Sequence, residues 1–164
     1  MKISSTVKGL ITGLLMVAAG LVLYLNKVDE TSPVQYIGYL IYGLGIVWAI
    51  TAFVKKSAEP FKFGALFNQG FRCFVVVTLI MALFTLIFYK VNTHIIEEKA
   101  ALTKQELLKT EKNRTPQEID TMIESGKKNF AIMAASGAIF QYLFIGVVVT
   151  MATAGSLYLR NKKS

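Results

Sequence analysis

Long apolar runs alternate with polar connections along the chain. Four of these runs carry no charged residue: Gly9 to Asn26, Val34 to Val54, Cys73 to Tyr89 and Asn129 to Leu159. About 20 apolar residues suffice for a helix to cross a hydrocarbon core of roughly 30 Å. The third run is short but sufficient if Arg72 and Lys90 extend toward the headgroups, and the fourth must continue beyond the bilayer. The pattern predicts an all-α membrane protein in which one domain, 1-164, has four transmembrane helices at about 7-26, 34-54, 70-90 and 130-159.

The segment 91-128 between the third and fourth runs is rich in Lys and Glu and is interrupted once. At the interruption Thr115 can cap a helix, Pro116 suits its first turn and Glu118 completes a capping box. Mainly apolar residues recur at helical spacing before it (Ile96, Ala100, Thr103, Leu107) and after it (Ile119, Met122, Ile123, Gly126, Phe130). The segment is therefore predicted to form an antiparallel helical hairpin that extends the third and fourth helices on the non-cytoplasmic side.

Composition and charge give the chain a class and an orientation. The 164 residues are 54% hydrophobic, which is too apolar for a soluble domain of this size. If both termini are cytoplasmic, the inner side has nine Lys and Arg residues against one acid, and the outer side has nine of each. The positive-inside rule favours this topology, although eight of the outer cations lie in the long outer segment, seven of them in 91-128 and the eighth, Lys90, just before it. The first apolar run continues past a possible cleavage site at Val17-Ala18-Ala19, so we expect a retained anchor.

A ring-rich stretch leads into the third predicted span. Phe63, Phe67, Phe71 and Phe74 recur at i, i+4, i+8 and i+11, and therefore share one helix face, beside Lys62, Asn68 and Arg72. Such a segment is predicted to lie at the cytoplasmic interface. Either it only supports the bundle, or it forms a lipid or partner interface, to which Lys55 and Lys56 would add charge. The candidate interface residues are Lys62, Phe63, Phe67, Phe71 and Arg72.

Two further features lie within the predicted spans. The Gln141 amide needs a partner, which we expect to be Tyr42 or a threonine of another span (Thr12, Thr78 or Thr85). Gly146, Thr150 and Ala154 form a ladder of small residues. Such a ladder predicts a helix-packing seam, either within the chain or in a homo-oligomer.

The chain offers little chemistry. Its one histidine, His94, is not spaced from any cysteine as metal ligands are, and its one cysteine, Cys73, begins an apolar run, which favours a buried, inert thiol. Transporters and proton relays usually carry ionisable residues in their spans, and the four runs have none. We expect no enzyme, no catalytic residue, no metal and no cofactor, and we disfavour a transporter or channel. The basic charge predicts contact with anionic lipid headgroups rather than with nucleic acid.

Two short motifs carry a resemblance. They are Phe63-Gly64, Phe67 and Gly70-Phe71-Arg72 before the third span, and Thr115-Pro116-Gln117-Glu118-Ile119 before the fourth. The chain thereby resembles, over nearly its whole length, the bacterial membrane family catalogued as domain of unknown function 4199. The resemblance implies a Gram-negative inner membrane and supplies no activity.

The expected function is that of a non-enzymatic accessory or scaffold protein, which binds a membrane or periplasmic partner through its bundle and hairpin. Similar chains also suggest an alternative, a lipid-handling partner of a polyprenyl-phosphate glycosyltransferase. In that alternative the cationic segment before the third span would hold the lipid phosphate.

Overall fold

The computed structural model describes residues 3–28, 32–55, 61–111 and 113–162, and the regular elements of these residues are all helical. The helices are α1 (Ser5–Leu25), α2 (Ile37–Val54, preceded by the 3-10 turn Pro33–Tyr36), α3 (Phe63–Val91), α4 (Thr93–Thr110) and α5 (Pro116–Lys162). Four helices are long and apolar enough to cross a membrane: Ser5–Leu25, Pro33–Val54, Phe63–Val91 and Pro116–Asn161. The predicted all-α fold with four such helices is confirmed. Lys56, a predicted contributor of interface charge, lies outside the described residues.

The residues at the helix ends explain where the helices start and stop. The Ser4 side chain accepts a hydrogen bond from the Val7 amide at 3.3 Å and caps α1. Ser32 accepts from the Val34 amide at 3.4 Å, but the turn that Pro33 begins is a 3-10 turn rather than the first turn of α2. Asn92 leaves helical geometry and separates α3 from α4. At its other end α3 begins at Phe63, so the ring-rich segment is the first part of α3 itself.

The capping box predicted at the start of α5 is present. The Thr115 amide donates to Glu118 Oε2 at 2.8 Å, and the Glu118 amide donates to Thr115 Oγ1 at 3.3 Å. The Thr115 amide lowers the pKa of the Glu118 carboxyl because it stabilises the ionised form. From this cap α5 runs unbroken for 47 residues.

The chain divides into two compact units, and the first comprises Met1–Met81 and Ala138–Ser164. Its core contains side chains with at most 2% exposure, among them Met16, Tyr42, Ile46, Leu66 and Phe74. Glycines stand where the helices of this unit meet. A Cβ atom added at Gly9 would lie 2.6 Å from the Cys73 carbonyl oxygen, and one at Gly45 would overlap Thr12. Small residues thus let the backbones approach closely.

The second unit comprises Ala82–Gly137. Tyr89 and Phe130 meet edge to face with ring centroids 5.0 Å apart, and Lys104 forms an ion pair with Asp120. Tyr89 precedes Lys104 along the chain, whereas its contact Phe130 follows Asp120, so the two chain segments run antiparallel. Ile96 and Ile119 are buried within this unit. An antiparallel helical hairpin is therefore present in the second unit.

Candidate functional site

The phenylalanines at the start of α3 form a continuous aromatic ladder in the first unit. Ring centroids are 6.1 Å apart for Phe63 and Phe67, 6.3 Å for Phe67 and Phe71, and 5.2 Å for Phe71 and Phe74. Tyr158 of α5 packs edge to face on Phe63 at 6.4 Å. Phe74 is buried, whereas Phe71 is 46% exposed. The ladder therefore joins α3 to α5 at one edge and leaves a ring at the surface.

A strip of polar and small residues lies beside this ladder on α3. Gly64, Asn68 and Arg72 are exposed and recur at i, i+4 and i+8, so they share a face, and exposed Lys62 precedes the helix. Among the described residues, no atom outside the local helix lies within 4 Å of a Cβ added at Gly64. We name Lys62, Gly64, Asn68 and Arg72 the polar lane. Of the predicted interface residues, Lys62 and Arg72 thus lie in the lane, and the phenylalanines form its aromatic border.

A buried cation lies in the same unit and was missed at the sequence level. Lys8 is only 4% exposed, and its Nζ lies 5.5 Å from the centre of the Trp48 ring, in cation–π geometry. One turn earlier in α1, Ser5 Oγ donates to Gln69 Oε1 at 2.6 Å. The helices extend beyond the uncharged runs, because α1 includes Lys8 and α3 includes Arg72. The four uncharged runs still lack ionisable residues, but Lys8 and Arg72 belong to helices that are long enough to cross a membrane. The absence of ionisable residues from the runs is therefore a weaker argument against a transporter or channel than it was from the sequence.

Gln141 finds a different partner from the one expected. Its Nε2 donates to Tyr39 Oη at 2.6 Å, while the Tyr42 hydroxyl donates to the Tyr142 carbonyl oxygen at 2.7 Å. The rings of Tyr39 and Tyr42 both pack against that of Tyr142, with centroids 6.0 and 5.5 Å away. The predicted contact between Gln141 and Tyr42 is wrong because Tyr42 reaches the α5 backbone instead.

The predicted small-residue seam lies inside the first unit. Gly146, Thr150 and Ala154 are buried. A Cβ added at Gly146 would lie 2.7 Å from Phe74 Cγ, and one at Gly70 would lie 2.6 Å from Thr150 Oγ1. The seam thus joins α5 to α2 and α3 of the same chain, and this face is not open to a second copy.

The hairpin of the second unit leaves an apolar groove of about 280 Å³ between α4 and α5. Its walls are the two predicted stripes without Ile119 and with Met133 added: Ile96, Ala100, Thr103 and Leu107 of α4, and Met122, Ile123, Gly126, Phe130 and Met133 of α5. Lys99 and Lys127 complete the lining, which includes no carboxylate. Glu124 raises the pKa of Lys127 through a hydrogen bond from the ammonium at 3.0 Å. Two helices alone do not cover this groove.

Cys73 and His94 are the two side chains that the sequence offered for thiol or metal chemistry. Cys73 is buried, and its thiol donates weakly to the Gly45 carbonyl oxygen at 3.7 Å. His94 is exposed in the first turn of α4. The predicted burial of the thiol is confirmed.

Fold and surface together define a helical membrane protein with a polar lane in its first unit and an apolar groove in its second. The sequence model of the family described as "Protein of unknown function (DUF4199)" matches residues 8–157, so the chain belongs to this family. The resemblance carried by the two short motifs is confirmed. No curated protein and no solved structure matches the chain.

Proposed function

We propose that this protein is a non-enzymatic accessory or scaffold protein of the bacterial inner membrane, with both termini in the cytoplasm. Its hairpin binds a helix of a protein partner. The observation that carries the proposal is the apolar groove between α4 and α5. An amphipathic helix laid in such a groove is a common mode of recognition.

The groove suits a third helix because its apolar walls remain partly exposed. Met122 is 45% exposed and Met133 is 64% exposed. Methionines are flexible and polarizable, and they adapt to the shape of a partner. A partner helix with apolar residues at i, i+3 or i+4, and i+7 would cover this surface.

The rim of the groove indicates the charge of that partner. Lys99 and Lys127 line it, and none of its lining residues is acidic. The other side of the hairpin has mixed charge, with Lys104 paired to Asp120 and with Glu97 and Glu124 nearby. Lys127 also pairs with Glu124, but the lining of the groove itself is basic. We therefore propose a partner helix that carries Asp or Glu beside its apolar residues, because complementary charge favours that pairing over others.

A photo-crosslinking amino acid at position 122, in the full chain within native membranes, tests the proposal. The matched control position is Leu102, which is 58% exposed on α4 and does not line the groove. The expected result is crosslinking at position 122, but not at position 102, to an acid-flanked apolar helix of another protein.

A pair of variants tests the energetics of the same contact. Met122→Asp should reduce recovery of the crosslinked partner about tenfold or more, as loss of a central interface residue does, while Leu102→Asp should leave recovery unchanged. Equal recovery with both variants would reject the groove as the docking surface. Crosslinks only to lipid, or only to a second copy of the chain, would also overturn the proposal.

A further inference from the structure

Arg72 does not lie at the end of the bundle formed by the first unit. Its neighbour Cys73 contacts Gly45, and Phe74 packs at Gly146. From Gly45, α2 continues to Val54, which is about 13 Å farther at 1.5 Å per residue. From Gly146, α5 continues to Leu159, about 20 Å farther. Helices on two sides of Arg72 therefore extend well beyond its level.

Most of the large exposed side chains on those extensions are apolar. Trp48 on α2, and Val148, Met151 and Leu159 on α5, are each at least 40% exposed. In a membrane protein such surfaces face lipid. Arg72 thus lies on a lipid-facing surface at a depth where a cation is costly unless an anion or water reaches it.

The described residues supply no counter-charge for Arg72. Within the described part of the first unit there is no Asp or Glu side chain. Arg72 also has no hydrogen bond or ion pair to any described residue, although one turn away the exposed Asn68 presents a second polar group on the same face. An exposed guanidinium beside an amide is a suitable donor set for a phosphate, because both groups offer N–H donors.

We propose that the polar lane binds the phosphate of an anionic phospholipid. The Arg72 guanidinium donates two hydrogen bonds to phosphate oxygens, and the Asn68 amide donates a third. Gly64 leaves space through which the headgroup reaches Arg72 from the Lys62 end of the helix. This site is independent of the groove proposed above to bind a partner helix.

The surface beyond Arg72 indicates a lipid rather than a free anion. Leu79, 58% exposed, follows two turns later on the same face of α3, and Phe71 borders the lane with 46% exposure. A ligand that fits both the polar lane and this apolar surface has a charged group, which binds at Arg72, and apolar chains, which lie along Leu79. Phospholipids have this arrangement and inorganic phosphate does not.

Native mass spectrometry of the full chain in mild detergent tests the site, with phosphatidylglycerol, phosphatidylcholine and inorganic phosphate as probes. The expected result is retention of phosphatidylglycerol but not phosphatidylcholine, without competition from inorganic phosphate. Arg72→Gln should weaken phosphatidylglycerol binding about tenfold, which corresponds to loss of a charge-assisted hydrogen bond. Lys90→Gln removes an exposed cation from the other end of α3 and should bind as the wild type does.

Two more conservative variants test the site with less risk of unfolding the protein. Circular dichroism will show whether each variant keeps its helical structure. Arg72→Lys keeps the charge but loses the planar fork, and Asn68→Ala removes one donor, so each should weaken binding several-fold. Unchanged binding in Arg72→Gln would overturn the proposal, and so would equal losses in Arg72→Gln and Lys90→Gln. Competition by inorganic phosphate at equal strength would show a general anion site rather than a lipid site.

Discussion

Three polar side chains in the first unit show how the surroundings of a residue determine its role. Lys8 is buried against Trp48, and Gln141 donates to Tyr39, so both contribute to contacts between helices. Arg72 is exposed and has no acidic neighbour among the described residues of its unit. Polar groups that meet a partner inside a bundle hold helices together, whereas one that faces lipid requires a ligand from outside.

In the second unit, the capping box gives a pH-dependent prediction. The pKa of Glu118 is lowered in the folded chain, so its contribution to stability is present above the ordinary value of 4.5 and is lost as the pH falls through the folded value. Protection of the first-turn amides of α5 from hydrogen exchange, corrected for intrinsic rates, should therefore decrease on acidification below pH 4.5.

The control for this prediction removes the titrating group. In Glu118→Gln the amide still accepts from Thr115 but does not titrate, so the protection should not depend on pH. Glu106→Gln, at an exposed position of α4, should retain the wild-type pH dependence. A pH-dependent loss that persists in Glu118→Gln would show that another group is responsible.

At the scale of elements, glycines decide how closely the helices of the first unit approach. Gly9 faces Cys73, Gly45 faces Thr12, and Gly146 faces Tyr42 and Phe74. Each of these glycines contacts another helix at a distance that a side chain would prevent. Other glycines of the same helices, such as Gly43 and Gly155, have open space instead.

This difference predicts opposite results for the same substitution at two positions of α5. Gly146→Ala should lower the free energy of unfolding by about 1–3 kcal/mol, because the added methyl group would lie 2.7 Å from the Phe74 ring. Gly155→Ala should be neutral or stabilising by up to about 1 kcal/mol, because alanine favours a helix and meets no neighbour. Unfolding in mixed micelles, followed by fluorescence of the single tryptophan, measures both.

Equal destabilisation by the two substitutions would contradict this account of the contacts of α5. It would mean that any side chain on this part of the helix disturbs the bundle. The distinction between covered and open glycines would then have no energetic consequence.

At the scale of the whole molecule, the distribution of charge leads to a prediction of topology. Acids of the described residues are found only in the second unit, where Lys104 pairs with Asp120 and Lys127 pairs with Glu124. The described ionic residues of the first unit are all Lys and Arg. The positive-inside rule itself counts Lys and Arg, and the cations of the two termini and of the connection between α2 and α3 are the ones that favour cytoplasmic termini.

Alkaline phosphatase fused at Asn113, and in a second chain after Lys163, tests this topology. The enzyme should be active at Asn113 and inactive after Lys163, because it folds only outside the cytoplasm. A green fluorescent reporter at the same positions should give the reverse pattern. Activity of the phosphatase only after Lys163 would place the groove in the cytoplasm and change the class of partner to be sought.

Sequence patterns revealed features that depend on neighbours along one helix. The apolar runs predicted the four long helices, and the spacing of Thr115 and Glu118 predicted the cap of α5. The helical spacing of Phe63 to Phe74 predicted that these rings share one face, where they form the aromatic ladder. Each of these follows from helical periodicity or from a bond between residues close in sequence. The same holds for the stripe residues that line the groove, which are all of those predicted except Ile119.

Features that depend on contacts between helices could not be found in this way. The burial of Lys8 requires α2 to bring Trp48 alongside α1, and the choice of Tyr39 rather than Tyr42 as the partner of Gln141 depends on how α2 is rotated against α5. The depth of Arg72 appears only when Cys73 is seen against Gly45. A single sequence contains no measure of these rotations and offsets.

The contact between Gly45 and Thr12 has a consequence for how the sequence can vary. A Cβ atom at position 45 would overlap the Thr12 side chain, so the two positions share one small volume. An alanine or serine can replace Gly45 only if a smaller residue replaces Thr12. Divergence within the family should therefore change these two positions together, as paired substitutions in separate helices rather than as independent ones.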